Sequence, residues 1–397
     1  DWDLATRAPP NVVRKLFPRT VPIGIEHGTV GVITRSGAML EVTTFRKDVE
    51  TFGRKAVVEF ADTLSEDLSR RDFTVNAIAW HPLTGGFQDP HGGRMDLQAG
   101  ILRTVGDPRD RFSEDYLRVL RGLRFSGRFR LRIEEATWEA LRGSADRLEV
   151  LSPERVREEL MKVLMDDPRP SGALSLYRAA GIVAVLYPEV LAGGSDLRRR
   201  RQGDLWTHSL LLADALSPHR PLLRLAALFQ GVMKGEGDRG NDRAAALMIR
   251  LRFSNAEIRA VTDLIRSGLE PPTNLRSPKE LRHFLHEMGP ENLPSLARIW
   301  LAKARLDHQR WGDVPHDIVR LVSALRAQVS SGAPIRSEDL ALTGRDLISL
   351  GLRPGPHFGK ILEALMGRVL DDPALNRPDV LRELAADWWA REGGDAR

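Results

Sequence analysis

The sequence predicts a mixed α/β front part followed by a long all-helical rear part. Up to about residue 105, short alternating or apolar stretches are separated by turn residues, and GTVGVITRSGAMLEVTTF is typical of a hairpin around Gly37. From Arg111 onward, apolar residues recur at helical spacing, and Gly- and Pro-rich turns interrupt the helices. These two patterns indicate an α+β region that precedes an α-helical one.

Two segments of the helical part carry start signals. In FSEDYLRVLRGLRF, Ser113 is the predicted N-cap because two acids follow it. A continuous helix from that point would align Glu114, Arg118 and Arg121 along one side. In LSPERVREELMKVLMDD, Ser152 is the predicted N-cap and a proline occupies the first helical position.

Composition excludes several function classes. The 397 residues include no cysteine, which rules out disulfides, thiolate zinc sites and cysteine nucleophiles and fits a reducing cytoplasm. No apolar run approaches the ~20 residues that a membrane span needs, so we expect no membrane partner. The net charge of +5 is supplied by arginine, which suits phosphate contacts and favours a nucleic-acid partner. Residues 198–201, all arginines, are a candidate phosphate contact, with a solvated loop as the alternative.

The stretch DWDLAT contains a candidate metal site. In a strand, Asp1 and Asp3 would point to the same face, since side chains alternate with a period of two. Two neighbouring carboxylates repel unless a cation lies between them, and oxygen ligands of this kind suit Mg²⁺. Taken alone the pattern is weak, and an acidic chain end is the alternative.

Two further stretches carry residues suited to nucleotide binding. In LSEDLSRRDFTVNAIAWHP, Arg70 and Arg71 form a basic pair that can hold a triphosphate. Asp72 and Asn76 follow, and such side chains can hydrogen-bond a ribose hydroxyl. In RFSEDYLRVLRGLRF, Asp115 and Arg118 stand three residues apart and can face each other on a helix.

The order of these motifs is similar to that of a known family. DxDxAT, GIEHGTV, EVTTFR, EDLxRRDFTxNA, DPxGGxxDLxxGxLRxVGDPxxRFxED and SxERVxxE run unbroken from residue 1 to about 160, and ALTGRDLISLGLRPGPHFGKIL follows in the rear part. This combination resembles the class II tRNA nucleotidyltransferases, the CCA-adding enzymes, and their bacterial poly(A) polymerase relatives in the DNA polymerase beta superfamily. The resemblance implies an α+β nucleotidyltransferase (DNA polymerase beta-like) head followed by an all-helical neck, body and tail. The expected bounds are 1–107 for the head, 108–165 for the neck, 166–272 for the body and 273–397 for the tail.

The resemblance also implies roles for individual residues. Asp1 and Asp3 match the catalytic, metal-binding carboxylates, which would hold two Mg²⁺ ions. Glu41 stands where a third acid of the superfamily can fall, with an ion pair to Arg46 as the alternative. The remaining matches are nucleotide-binding: Arg70, Arg71, Asp72 and Asn76 for the sugar and phosphates, Asp115 and Arg118 as the pair that replaces a template, and Arg121 and Arg124 toward the triphosphate.

The sequence departs from the family pattern in two places. The family carries a Gly-Gly-x-Val-Arg-Asp stretch just before the DxD motif, and we expect that stretch to precede Asp1. The region 205–240 has the layout of an HD phosphohydrolase domain and retains His208, but Phe229 and Gln230 stand where a His-Asp pair belongs. Since phenylalanine cannot ligate a metal, we predict an HD-like fold without a metal or hydrolase activity.

The implied function is addition of C and/or A from CTP or ATP to the 3′ end of tRNA, with release of pyrophosphate. The segment KDVETFGRKAVVEFADTL occupies the place of the family's flexible loop, which favours A addition; an inert β-ribbon is the alternative. We expect the body and tail to bind tRNA on its acceptor-stem and TΨC side. A poly(A) polymerase of the same family, a catalytically inactive RNA-binding protein and an HD phosphohydrolase are the rival functions, and the oligomeric state stays open.

Overall fold

The chain divides into two compact units. The computed structural model describes residues 3–52, 55–191, 202–233, 238–268, 270–272, 274–309 and 316–392. One unit comprises residues 1–192 with 250–252, and the other comprises 193–249 with 253–397. The first unit contains the predicted α+β head and the helices that follow it. The finer four-part division stays a prediction.

A four-stranded sheet forms the base of the head. Its strands are β1 (Asp3–Thr6), β2 (Thr20–Gly24), β3 (Thr29–Ile33) and β4 (Met39–Thr44), in the order β1-β4-β3-β2. β1 runs parallel to β4, whereas the other neighbours are antiparallel, so the hairpin predicted around Gly37 is confirmed as β3–β4. Helix α1 (Pro10–Leu16) covers one face, where Val13, Val30 and Val42 share a small core.

Short elements complete the head. The hairpin of β5 (Arg46–Phe52) and β6 (Lys55–Phe60) comes first, followed by α2 (Leu64–Ser69), which begins with a capping box between Thr63 and Glu66. A second hairpin, β7 (Ala79–Trp80) with β8 (Phe87–Gln88), then leads to α3 (Gly93–Ala99) and β9 (Ile101–Leu102).

The helix predicted to start at Ser113 is instead two helices. α4 (Pro108–Glu114) begins after Asp107, whose side chain accepts from the Arg109 amide, and Ser113 lies in its last turn. Asp115 adopts an extended backbone (φ −154°, ψ 106°), and α5 (Leu117–Phe129) starts beyond it. The prediction was wrong because Asp107 followed by a proline is the stronger start signal. The break places Asp115 at a junction between two helices.

The rest of the first unit packs around α5. β10 (Arg132–Ile133) pairs in parallel with β9, and the helices are α6 (Glu135–Gly143), α7 (Pro153–Asp166), α8 (Ser171–Ala179), α9 (Ile182–Leu186) and α10 (Pro188–Leu191). α7 starts where the sequence predicts, after Ser152. Gly127 lets α5 approach α8 closely, because a Cβ there would lie 2.4 Å from the Ala173 nitrogen. This packing fixes the helix that carries the predicted nucleotide-binding arginines.

The second unit is helical in the ranges that the structure describes. Its helices are α11 (Gln202–Asp214), α12 (Pro221–Met233), α13 (Asp238–Arg250), α14 (Asn255–Arg266), α15 (Pro278–Met288), α16 (Leu293–Gln309), α17 (His316–Ser330), α18 (Gly344–Ser349), α19 (His357–Asp371) and α20 (Pro378–Glu392). Near the C-terminus, Leu347, Ile361, Leu365 and Leu381 form a buried cluster. Among the described helices of the chain, none has the length and apolar character to cross a membrane.

Candidate active site

Two acidic side chains lie side by side on the sheet of the head. Asp3 on β1 is the direct cross-strand neighbour of Glu41 on β4. The next pair contains Val42, which packs into the core, so Asp3 and Glu41 point to the opposite face, where both are exposed. Arg46, the alternative partner of Glu41, donates through its side chain to the carbonyl oxygen of His27. Asp1 and residues 198–201 lie outside the described residues.

The basic pair that follows α2 is held by a buried carboxylate. Asp67 is 1% exposed and accepts from both Arg70 (Nη2–Oδ1, 2.8 Å) and Arg71 (Nη2–Oδ2, 3.0 Å). Burial alone would raise the pKa of Asp67, but the charges of Arg70 and Arg71 hold it below its ordinary value. The two guanidinium groups are therefore fixed beside each other by an ionised carboxylate that sequence analysis did not single out.

Asp72 is buried at the centre of a polar cluster. Its Oδ1 accepts from the Phe73 amide (2.9 Å) and from Asn76 Nδ2 (3.0 Å), and its Oδ2 accepts from Arg121 Nε (2.8 Å). Burial raises the pKa of Asp72, but the Arg121 charge and the Asn76 hydrogen bond bring it below its ordinary value. The structure thus brings together three residues that were predicted from two separate motifs.

The helix junction is tied to the basic pair through backbone contacts. Arg118 donates to the carbonyl oxygens of Arg70 (3.2 Å) and Arg111 (2.9 Å) and also contacts the Glu114 carboxylate. Arg111 in turn donates to the Ser69 carbonyl (2.8 Å). These bonds join two stretches more than forty residues apart and place Arg118 beside the backbone of the basic pair.

The side chains of Asp115 and Arg118 bind other partners in this structure, although the Arg118 amide donates to the Asp115 carbonyl oxygen (3.0 Å). Asp115 Oδ1 accepts from the Leu117 amide at the start of α5 (3.0 Å), and Oδ2 accepts from Arg155 on α7 (2.7 Å). A cavity of about 310 Å³ borders Asp115 and Arg155. Residues of the helix junction, such as Tyr116, and of the segment that leads into α7, such as Leu151, line it. Its size falls in the usual range of small-molecule sites.

Arg124 lies apart from the other predicted nucleotide-binding residues. It is 5% exposed, its Nε donates to Glu159 of α7 (2.7 Å), and its guanidinium stacks on Phe125. Its charge is satisfied by a 1% exposed carboxylate, so in this structure the guanidinium does not face an open triphosphate site. In this structure Arg124 joins α5 to α7, and its expected role toward the triphosphate stays a prediction. Arg121 by contrast remains at the site, bound to Asp72.

The predicted HD-like region lies in the second unit. His208 is half-buried on α11, Phe229 is buried on α12, and the side chain of Gln230 lies outside the described part of the structure. Within the described residues of the chain, no group of three or more His, Asp or Glu side chains is placed to hold a metal ion. The metal-free, hydrolase-free assignment stays a prediction.

Comparisons with known proteins agree with this arrangement. Three family models match: the poly A polymerase head domain over residues 1–103, a probable RNA- and SrmB-binding site of polymerase A over 130–192, and a putative tRNA nucleotidyltransferase domain 2 over 239–385. The CCA-adding enzyme of Anoxybacillus flavithermus is 33% identical over 97% of this chain and 88% of its own length. This chain belongs to the CCA-adding enzyme family. The Enterococcus faecalis member is 32% identical over 97% of the chain and 87% of its own length.

Solved structures of family members share the fold. The Bacillus stearothermophilus CCA-adding enzyme in complex with CTP matches with a TM-score of 0.72 at 28% identity, covering 98% of this chain and 89% of that one. The Thermotoga maritima enzyme complexed with tRNA is alike in fold, with a TM-score of 0.54 at 19% identity over 95% and 83% of the two chains. The predicted fold class and family are therefore confirmed, and the protein is a nucleotidyltransferase.

Sequence analysis missed three residues that hold predicted nucleotide-binding residues in place: Asp67, Arg155 and Glu159. Asp67 precedes Arg70 and Arg71 by three and four residues, which is the spacing of helical ion pairs and was a usable signal. Arg155 and Glu159 lie on α7, about 35 to 40 residues beyond Asp115 and Arg124, which they bind. No local pattern shows such partners.

Proposed function

We propose that this protein adds C and A from CTP and ATP to the 3′ end of tRNA and releases pyrophosphate, without a nucleic-acid template, in the cytoplasm. The main support for the proposal is the contact between the two nucleotide-binding stretches, residues 70–76 and 115–121. Arg121 binds Asp72, and Arg118 binds the carbonyl oxygen of Arg70. Residues suited to the phosphates and sugar thus lie next to residues suited to a base edge.

The carboxylates of the sheet suit Mg²⁺. Asp3 and Glu41 offer oxygen atoms on one exposed face, and Mg²⁺ takes one or two carboxylates together with waters and substrate phosphates. We propose that Asp1, Asp3 and Glu41 hold two such ions. When bound, the ions would lower the pKa of the attacking hydroxyl and neutralise charge on the phosphates.

The reaction is an in-line displacement. The 3′-hydroxyl oxygen of the RNA forms a bond to the α-phosphorus while the bond to the bridging oxygen of pyrophosphate breaks, and the hydroxyl proton passes to solvent. Arg70 and Arg71 would hold the triphosphate through charge-assisted hydrogen bonds. Asp72 keeps acceptor capacity on Oδ2 for a ribose hydroxyl beside Asn76. Positioning and charge neutralisation account for the rate, with no covalent enzyme intermediate.

Asp115 and Arg118 would read the base. A carboxylate accepts from the exocyclic amino group that C and A share, and a guanidinium donates to ring nitrogen or carbonyl acceptors. Their hydrogen bonds at the helix junction support the proposal that these side chains substitute for a template. The β5–β6 hairpin, present at the position of the family's flexible loop, favours A addition after CC.

The test uses three tRNAs, ending before CCA, after C and after CC. The full-length protein, Mg²⁺ and labelled CTP and ATP, singly and together, are added, and the products are sized. CCA addition gives up to three, two and one added residues. A CC-adding enzyme stops before A, an A-adding enzyme extends only the last tRNA, and a poly(A) polymerase gives a long A tail. Asp1→Ala with Asp3→Ala should abolish addition and leave tRNA binding largely intact; undiminished addition would refute the assignment of these carboxylates.

A further inference from the structure

The buried carboxylate of Asp67 has a third contact besides the basic pair. Its Oδ1 accepts from the backbone amide of Arg46 (3.2 Å) as well as from Arg70 Nε (3.0 Å) and Nη2 (2.8 Å), while Oδ2 binds Arg71. Arg46 is the first residue of β5. One side chain on α2 therefore joins the root of the β5–β6 hairpin to both arginines that follow α2.

The cluster around Asp67 keeps an excess of positive charge. Arg70 and Arg71 bind the Asp67 carboxylate through their side chains, whereas Arg46 binds it through its backbone amide and donates with its guanidinium to the His27 carbonyl oxygen. The Arg46 charge still lies close enough to Arg70 to contribute, after burial, to a lowered Arg70 pKa. The Nε atoms of Arg46 and Arg71 are buried and have no hydrogen-bond partner among the described residues. Since a buried donor without an acceptor is costly, an oxyanion that accepts from these atoms would relieve the cost.

We propose that Asp67 is a positioning residue for the triphosphate and that Arg46 is a further phosphate ligand. Asp67 does not touch the nucleotide. It holds Arg70 and Arg71 at a fixed spacing and anchors the hairpin so that the Arg46 guanidinium joins them. Because the Arg70 carbonyl also accepts from Arg118, the same carboxylate indirectly fixes the phosphate-binding side chains relative to the base-reading pair. This inference rests on the proposed function and deepens it.

The experiment measures affinity without catalysis. CTP, ATP and inorganic tripolyphosphate are titrated calorimetrically into the full-length protein without RNA. Asp67→Asn keeps the shape of the side chain but replaces one carboxylate oxygen by an amide NH₂, which cannot accept from the Arg70 and Arg71 guanidinium groups. All three ligands should therefore bind about tenfold more weakly or worse. The loss should be similar for the three because they share the phosphate chain. Glu66→Gln, the neighbouring carboxylate that caps the same helix, is the matched control and should not change affinity. Unchanged binding of tripolyphosphate to folded Asp67→Asn would overturn the proposal.

Arg46 has its own matched pair of variants. Arg46→Gln should weaken tripolyphosphate binding severalfold, whereas Lys47→Gln, one residue further and paired with Glu59 at 3.2 Å on the exposed hairpin, should not. Equal affinities of Arg46→Gln and the wild type would remove Arg46 as a phosphate ligand.

A double variant keeps the test decisive if Asp67→Asn does not fold. In Asp67→Asn/Arg71→Gln, two amides replace the ion pair and can hydrogen-bond each other. It should bind tripolyphosphate more weakly than Arg71→Gln alone, because Arg70 has also lost its anchor; equal affinities would overturn the positioning role. Failure of the proposed function has a different signature: a wild-type protein that binds these ligands but extends no tRNA.

Discussion

Arg155 on α7 donates to Asp115 Oδ2 over 2.7 Å, so a residue of another helix, rather than the Arg118 side chain, orients the carboxylate of the proposed base-reading pair. The pair is half-buried, with about a quarter of each side chain exposed (27% and 29%), so solvent screens it only in part. Asp115 also caps α5 through the Leu117 amide. With one oxygen held by the backbone and the other by Arg155, the carboxylate plane is fixed.

Arg155→Gln should therefore raise the KM for both CTP and ATP. We expect about a tenfold increase, the usual worth of one charge-assisted hydrogen bond, with a smaller change in kcat. Arg155→Lys should restore part of the loss, because it keeps the charge but not the planar fork. Arg128→Gln removes an ion pair to Asp166 from the far end of α5 and serves as the control. Steady-state kinetics check this, and an unchanged KM in Arg155→Gln would show that the contact does not orient Asp115 for binding.

Breaking the Arg124–Glu159 pair should destabilise the first unit. Both side chains are almost fully buried. Removing Glu159 leaves the buried Arg124 charge without its carboxylate, which typically costs about 3–5 kcal/mol, whereas removing Arg124 leaves Glu159 to the more exposed Lys162 (3.1 Å). Glu159→Gln or Arg124→Met should thus lower the urea midpoint strongly. The double variant Arg124→Met/Glu159→Leu should lose less stability than either single variant, because neither charge of the pair stays buried. Glu158→Gln changes the exposed neighbour of Glu159 on the same helix and serves as the control. Its free energy of unfolding should stay within about 0.5 kcal/mol of the wild-type value.

If Arg124→Met were as stable as the wild type but failed to bind CTP, the structural account of Arg124 would be wrong. A triphosphate contact would then be the better account of that arginine. Equilibrium unfolding and CTP titration of the same preparation separate the two cases.

Glu41→Gln decides whether a third acid acts beside Asp1 and Asp3. Since Glu41 is the cross-strand neighbour of Asp3 on the exposed face, its loss should lower kcat by about 10²-fold, as for other preorganised charges at a reacting centre. The Mg²⁺ concentration needed for half-maximal rate should rise. Glu59→Gln, another exposed acid of the head, is the control. A normal rate and Mg²⁺ requirement in Glu41→Gln would leave the aspartates as the metal ligands.

The residues that lie close in sequence were the ones that could be predicted. The strand containing Asp3, the β3–β4 hairpin and the start of α7 follow from alternation, Gly37 and the Ser152-proline pair, all of which are local signals. The break at Asp115 could not be predicted from periodicity, because the apolar residues continue in phase across it. Similarly, Arg121 and Arg124 stand three residues apart on one helix. The position of Glu159 on another helix distinguishes the buried Arg124 from the half-buried Arg121 that binds Asp72.

Asp346 should make the second unit sensitive to acid. Its carboxylate accepts from the Thr343 amide (2.9 Å) and hydroxyl (2.8 Å) and from Arg382 of α20 (3.1 Å), which lowers its pKa from 3.8 to about 2. A carboxyl group whose pKa is lowered in the folded state stabilises the fold at pH values above its ordinary pKa. That stabilisation is lost as the pH falls toward the lowered pKa. The wild type should therefore lose stability between pH 3.8 and about 2.

Asp346→Asn should be less stable at neutral pH and show a flatter pH dependence across that interval. Denaturant unfolding at several pH values checks this. Asp317→Asn removes an exposed ion pair to Arg320 on α17 and should follow the wild-type curve. An Asp346→Asn curve parallel to that of the wild type would show that another group governs the acid response.

Binding of tRNA should weaken steeply as salt rises. We expect the body and tail to contact the phosphates of tRNA. Each neutralised phosphate releases counterions, so the logarithm of the association constant falls linearly with the logarithm of the salt concentration. The slope should be about −0.9 for each phosphate contacted. Arg345→Gln in the described α18, a residue exposed at a groove with Ile348 and Phe358, is a first test of one contact and should make the slope about one unit shallower. Arg320→Gln, exposed on α17, controls for the loss of one positive charge. An affinity for tRNA that does not depend on salt would contradict phosphate-mediated binding.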